Sequence, residues 1–166
     1  MAGALIVTAE IAADDFSWLQ GLRRKHYPIE RNRVPAHLTL FHALPPSVEA
    51  EVKSRLSRIV RRPPPATTIV GLMDLGGGVA FRIVSTELDR IREELASAFH
   101  GLLSAQDSGG WRPHVTIQNK VAPKVARALK SELEAGFSPR PLNVSGLALH
   151  RYLDGPWQGV ATYSFR

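Results

Sequence analysis

His37-Leu38-Thr39-Leu40 and His114-Val115-Thr116-Ile117 are one pattern written twice, and the fold is read outward from them. Successive side chains of a strand point to opposite faces. His37 and Thr39 therefore share one face, with Leu38 and Leu40 on the other; His114 and Thr116 stand the same way against Val115 and Ile117. Each copy reads as a half-buried strand carrying an imidazole and a hydroxyl about 7 Å apart on its polar face. Brought together, the copies line a groove with two imidazoles and two hydroxyls. That set suits a phosphodiester, with one base, one acid and two donors to the non-bridging oxygens.

The surrounding chain supplies the frame. Ala4 to Ile11 is β-rich and reads as a first strand. Asp14 and Asp15 open a helix to about His26, with Phe16, Leu19 and Leu22 facing inward. Its basic end, Arg23-Arg24-Lys25, complements the helix dipole. Pro35 extends Val34 and leads into the first motif strand, His37 to Leu44, which Pro45-Pro46 stops. A second helix over Ser47–Arg62 buries Val48, Val52, Leu56, Ile59 and Val60, with Glu49–Lys53 and Glu51–Arg55 as i,i+4 pairs outside. Gly76-Gly77-Gly78 lacks the Lys-Ser/Thr ending of a phosphate loop and reads as a hairpin turn between strands Thr67–Leu75 and Val79–Ser85. Thr86 and Asp89 form a variant capping box for a third helix, with Leu88, Ile91, Leu95, Phe99 and Leu102 inward. Gln106 to Gly110 reads as a flexible connection. The second motif strand runs over Arg112–Asn119. A fourth helix starts at Pro123, presents Val125, Leu129 and Leu133, and closes at Gly136. Two strands, Leu142–Leu153 and Trp157–Phe165, end the chain.

His114 follows His37 by 77 positions, and the same offset carries Leu5 to Arg82 and Val48 to Val125. Each half thus reads strand, helix, motif strand, helix, strand. The expectation is an α+β fold: a single domain over residues 1–166, made of two lobes that correspond to sequence repeats of about 1–75 and 76–166. A pseudo-two-fold axis relates the lobes, the sheets are antiparallel-rich with helices outside, and a groove lies at the centre.

Composition sets outer bounds. The 166 residues are 44% hydrophobic and 22% charged, as in an ordinary globular protein. No cysteine is present, which removes disulfides, thiolate metal sites and a cysteine nucleophile and suits a reducing cytoplasm. The apolar run at Ala4–Val7 is too short to span a membrane, so no membrane partner is expected. The formal charge of +6, from 21 basic and 15 acidic residues, favours polyanionic partners. A cytoplasmic monomer is the expectation.

The motifs, in their setting Pro35 to Phe41 and Arg112 to Ile117, resemble those of the 2H phosphoesterase superfamily, and most closely its 2′-5′ RNA ligase branch. The resemblance implies a bilobal α+β fold and metal-independent opening of 2′,3′-cyclic phosphates on RNA 3′ ends or nucleotides to a 2′-phosphate, with joining or cleavage of 2′-5′ linkages in some members. It implies no cofactor and no metal. It makes His37 the general acid, His114 the general base, and Thr39 and Thr116 the phosphate ligands; the residues themselves leave the acid and base roles open. Arg112, in phase with His114, is a further phosphate ligand or a rim ion-pair former. Gln118 and Phe41 are in phase further along their strands, Phe41 serving as a base stacker or a core-edge aromatic. Arg31 and Arg33, in the loop before the first motif, track a nucleic-acid backbone or are simply solvated. His42 is out of phase with His37 and stays outside the catalytic set. The alternatives are a non-catalytic RNA-end or nucleotide binding module on the same fold, and a phosphodiesterase for small cyclic nucleotides or 2′-5′-oligoadenylate.

Overall fold

A computed structural model describes residues 3–166. Its order is β1 (Leu5–Ile11), α1 (Ala13–His26), β2 (Leu38–Leu44), a 3-10 turn (Pro46–Val48), α2 (Glu49–Ile59), β3 (Thr68–Asp74) and β4 (Val79–Val84). Then come α3 (Thr86–Ala98), the one-turn α4 (Ala105–Ser108), β5 (His114–Gln118), α5 (Pro123–Ala135), β6 (Arg140–Pro141), β7 (Val144–Tyr152) and β8 (Trp157–Ser164). The fold is α+β, with two four-stranded antiparallel sheets ordered β2-β1-β7-β8 and β5-β4-β3-β6.

The two motif strands occupy corresponding edges, and these edges lie against each other. The sheets do not follow the halves of the chain. After α2, β3 joins the sheet of β4 and β5, and after α5, β7 returns to β1. The repeat offset also changes along the chain. Thr8 faces Thr39, 31 residues on, whereas Ala80 faces Thr116, 36 residues on. The added length lies in the connection that carries α4, so the partner of β1 in the repeat is displaced from the 77-residue offset of the motifs.

One hydrophobic cluster joins the sheets and helices, including Val7, Leu38 and Leu40 from one sheet, Ile69, Phe81 and Val115 from the other, and Leu56 and Leu95 from helices. Val52, Leu56 and Ile59 are the buried stripe of α2, and burying such side chains stabilises by about 2 kcal/mol each. The ion pairs Glu49–Lys53 and Glu51–Arg55 form on its outer side. Two expected details shift. The cap of α3 is Ser85, whose Oγ accepts from Leu88 N and donates to Ala66 O, rather than Thr86. On α5, Ala126 and Leu129 are buried while Val125 faces solvent. Gly78 is required where the β3–β4 turn meets β5, because a Cβ there would stand 2.0 Å from Gln118 O.

Candidate active site

Edge strands leave backbone groups without ladder partners. On β2 these are met from the other lobe. Trp111 Nε1 donates to Thr39 O (2.9 Å), and Arg92 Nε of α3 donates to Leu40 O (2.9 Å). The Asp107 carboxylate of α4 accepts from His42 N (2.9 Å) and Ala43 N (2.9 Å), and also contacts His42 Nδ1 at 3.1 Å. On β5, Arg23 of α1 donates to Thr116 O (2.8 Å), to Val34 O (2.6 Å) and to Asn32 Oδ1 (2.9 Å). Each lobe's first helix thus reaches the other lobe's motif strand through a buried guanidinium.

Between the strands lies a groove of about 320 Å³ lined by His37, Thr39, His114 and Thr116, with Arg112 and Trp111 on the β5 side and His42 with Asp107 on the β2 side. His37 Nδ1 bonds Pro35 O at 2.8 Å, and His114 Nδ1 bonds Arg112 O at 2.8 Å. A carbonyl can only accept, so Nδ1 carries the proton in both rings. Nε2 is left in each as the atom that takes or gives a proton. The two anchors are the same bond at equivalent places in the repeat, each to the carbonyl two residues upstream.

The rings differ in surroundings. Trp157 packs against His37 with centroids 4.7 Å apart. Burial pushes the His37 pKa down to about 4; the Pro35 carbonyl opposes this, and Arg23, His114 and His150 add to it. Burial also lowers Arg23, Arg92 and His150. For Asp107, burial acts to raise the pKa, but the hydrogen bonds from His42 and Ala43 outweigh it and the carboxyl lies below its ordinary value. Among the described residues, no group of three or more histidine, aspartate or glutamate side chains is placed to hold a metal ion.

Several sequence expectations are corrected here. Phe41 does not line the groove; it is fully buried in the core with the Arg92 guanidinium 4.2 Å from its ring centre. Gln118 is also buried, 3% exposed, with Oε1 unpartnered. The reason is one irregularity used twice. Thr8 and Val7 face Thr39 and Phe41, and Ala80 and Val79 face Thr116 and Gln118, so each motif strand carries an extra residue at this point. Such a bulge breaks the two-residue phase. Leu40 and Phe41 both turn inward, and His42, out of phase by counting, comes to the groove. Arg31 is exposed and outside the groove lining, and Arg33 stands in a neighbouring cleft that shares His37. Arg23 does more than complement a helix dipole: it is 3% exposed and lies on the Asp15–Leu19–Arg23 stripe of α1. The Gln106–Gly110 connection holds α4 and Asp107, and Ser104 Oγ caps that turn by accepting from Asp107 N at 3.2 Å. The Ser-x-x-Asp spacing of Ser104 and Asp107 was the legible sign of it.

The sequence model of the 2′-5′ RNA ligase superfamily matches residues 10–156. The chain belongs to that superfamily. Its fold is shared with TT0787 of Thermus thermophilus, with a TM-score of 0.67 at 19% identity over 98% of both chains. Escherichia coli LigT complexed with 3′-AMP is similar at a TM-score of 0.59 and 20% identity over 99% of both chains. LigT complexed with NADP+ gives 0.60 and 17% over 99% of both. No curated protein sequence matches. Membership in this superfamily of phosphoesterases and ligases makes the chain an enzyme by class, and the two H-x-T-x tetrapeptides both fall inside the matched span.

Proposed function

We propose that the protein opens 2′,3′-cyclic phosphates on RNA 3′ ends or nucleotides, without a metal, and leaves a 2′-phosphate. The observation that carries this reading is the pair of imidazoles in one groove, each fixed at Nδ1 and each free at Nε2. One Nε2 takes a proton from water as the water oxygen bonds to phosphorus. The bond from phosphorus to the ribose 3′ oxygen breaks, and the other imidazolium gives that oxygen its proton. Thr39, Thr116 and Arg112 donate to the phosphoryl oxygens, where negative charge builds. The family resemblance gives His37 the acid role. Burial leaves His37 unprotonated in the free protein, so that role requires the anion of the bound phosphodiester to bring the proton in. With an RNA 5′-hydroxyl in place of water as the attacking group, the same step would break the bond from phosphorus to the 3′ oxygen, protonate that oxygen and join a 2′-5′ linkage. The basic excess fits RNA 3′ ends as partners, and the lack of cysteine fits a reducing cytoplasm.

The test is a panel of cyclic nucleotides, RNAs ending in a cyclic phosphate and 2′-5′-linked oligomers, with 2′- and 3′-phosphate products resolved. His37→Gln and His114→Gln should each reduce kcat about 10³-fold. Near-normal turnover by either folded variant, or a 3′-phosphate product from wild type, would overturn the reading.

A further inference from the structure

His42 is a third imidazole in the groove, and the two-imidazole chemistry makes no use of it. Its side chain is 41% exposed, while that of its partner Asp107 is 1% exposed. Asp107 is held at each of its polar groups. Ser104 Oγ accepts from its amide, Arg92 donates to its carbonyl, and its carboxylate accepts from His42 N and Ala43 N. Those two amides already tie the edge of β2, so the further contact to His42 Nδ1 at 3.1 Å fixes the ring rather than the strand. The Asp107 carboxyl lies below its ordinary value, so it is ionised and only accepts. Nδ1 of His42 therefore carries a proton, and Nε2 is the nitrogen that Asp107 leaves unused. His37 and His114 are fixed in the same way, but on neutral carbonyls. A carboxylate does more than orient a ring. With an anion at Nε2, the imidazole can carry both protons and bridge two negative groups through charge-assisted hydrogen bonds.

His42 stands on β2 beyond Thr39. Three residue steps span at most about 10 Å of backbone, and the bulge between them shortens the distance. One nucleotide step falls within that reach. An anion at His42 would thus be the next phosphate along from the one between His37 and His114.

We propose that His42, oriented by Asp107, is a second phosphate contact, recognising the 5′-phosphate of the nucleotide whose 2′,3′-cyclic phosphate is opened. The inference rests on the phosphodiester reading of the groove. It makes His42 a specificity residue, favouring a nucleotide with phosphate on both sides of its ribose, as at the end of an RNA chain, over a nucleoside cyclic phosphate. Asp107 acts through His42 as a positioning residue.

Two substrates that differ in one group provide the test: adenosine 2′,3′-cyclic phosphate, and the same nucleotide carrying a 5′-phosphate. kcat/KM for each is measured on wild type and on His42→Phe, which keeps a flat ring and removes the donor. Wild type should prefer the 5′-phosphorylated substrate by about ten-fold or more, and H42F should lose most of that preference, chiefly through KM. The ratio within each protein cancels any difference in the amount of folded enzyme. Histidine NMR of wild type reads the same contact without a variant. The His42 ring signals should move further with adenosine 2′,5′-bisphosphate than with adenosine 2′-monophosphate. Equal kcat/KM for the two substrates in wild type, or equal NMR responses, would overturn the second contact alone. A preference that survives in H42F would also overturn it and pass the role to Arg112. Failure of wild type to turn over either substrate would overturn the phosphodiester reading and this inference with it.

Discussion

Replacing His37 with glutamine measures the electrostatics of the groove without reference to any substrate. The folded protein holds this imidazole neutral down to about pH 4, whereas an unfolded chain protonates it near 6.5. As pH falls through that window, the unfolded state takes up the proton first, so folding stability drops. The contribution is fully present above the unfolded value and is lost as pH falls toward the folded value. Between about pH 7.5 and 4.5 the loss comes to about 2.5 kcal/mol, reduced to about 2 kcal/mol for the ring's partial contact with solvent. His37→Gln carries every other titration of the protein but not this one. Urea unfolding at the two pH values should therefore show wild type losing about 2 kcal/mol more than H37Q. Histidine NMR titration locates the same proton directly, with the His37 ring moving near pH 4. Equal pH losses in the two proteins, or a His37 resonance titrating near the ordinary value of about 6.5, would refute the claim that burial against Trp157 holds the ring neutral.

Asp107→Ala removes the acceptor of two strand-edge amides, His42 N and Ala43 N. Each buried donor left without a partner costs about 1–3 kcal/mol, so stability should fall by about 4 kcal/mol and Tm by about 10 °C in a thermal melt. A shift under about 2 °C would show that the carboxylate does not hold the edge of β2. Arg23→Met strands Thr116 O, Val34 O and Asn32 Oδ1 but also relieves a buried cation, for a net loss of about 3 kcal/mol by urea unfolding. It should also raise the His37 pKa, since a neighbouring positive charge is gone; an unmoved or lowered NMR titration would contradict the electrostatic link. Turnover of a cyclic nucleotide should persist undiminished in excess EDTA, and loss of activity restored by a divalent metal would replace the two-imidazole chemistry with another.

Local patterns carried the architecture a long way. The alternation in Leu38–Leu40 and Val115–Ile117 marked half-buried strands because one face of each must meet the core. Proline at 45 and 46, and at 123, marked where elements stop and start because its ring fixes φ and removes a donor. The i,i+4 charges of α2 needed only helical geometry to meet. The same arithmetic failed at Phe41, Gln118 and His42, where counting by two assumes an unbroken strand. It failed at Arg23 and Asp107 as well. A charged side chain on an inward stripe reads as surface until the partners that satisfy it are known, and the partners across the groove lie 93 residues from Arg23 and 65 from Asp107.

The sequence by itself determined the repeated imidazole–hydroxyl pairs, the order of the main strands and helices without α4 and β6, and the family. Those follow from interactions between residues near one another in the chain, or from the motif itself. Only the tertiary structure decided that β3 and β7 exchange lobes, that paired bulges turn His42 outward and Phe41 inward, and that Trp157 and His150 stand beside His37. These depend on edges and faces meeting across the whole chain, where hydrogen-bond satisfaction and packing, rather than local periodicity, set the energy.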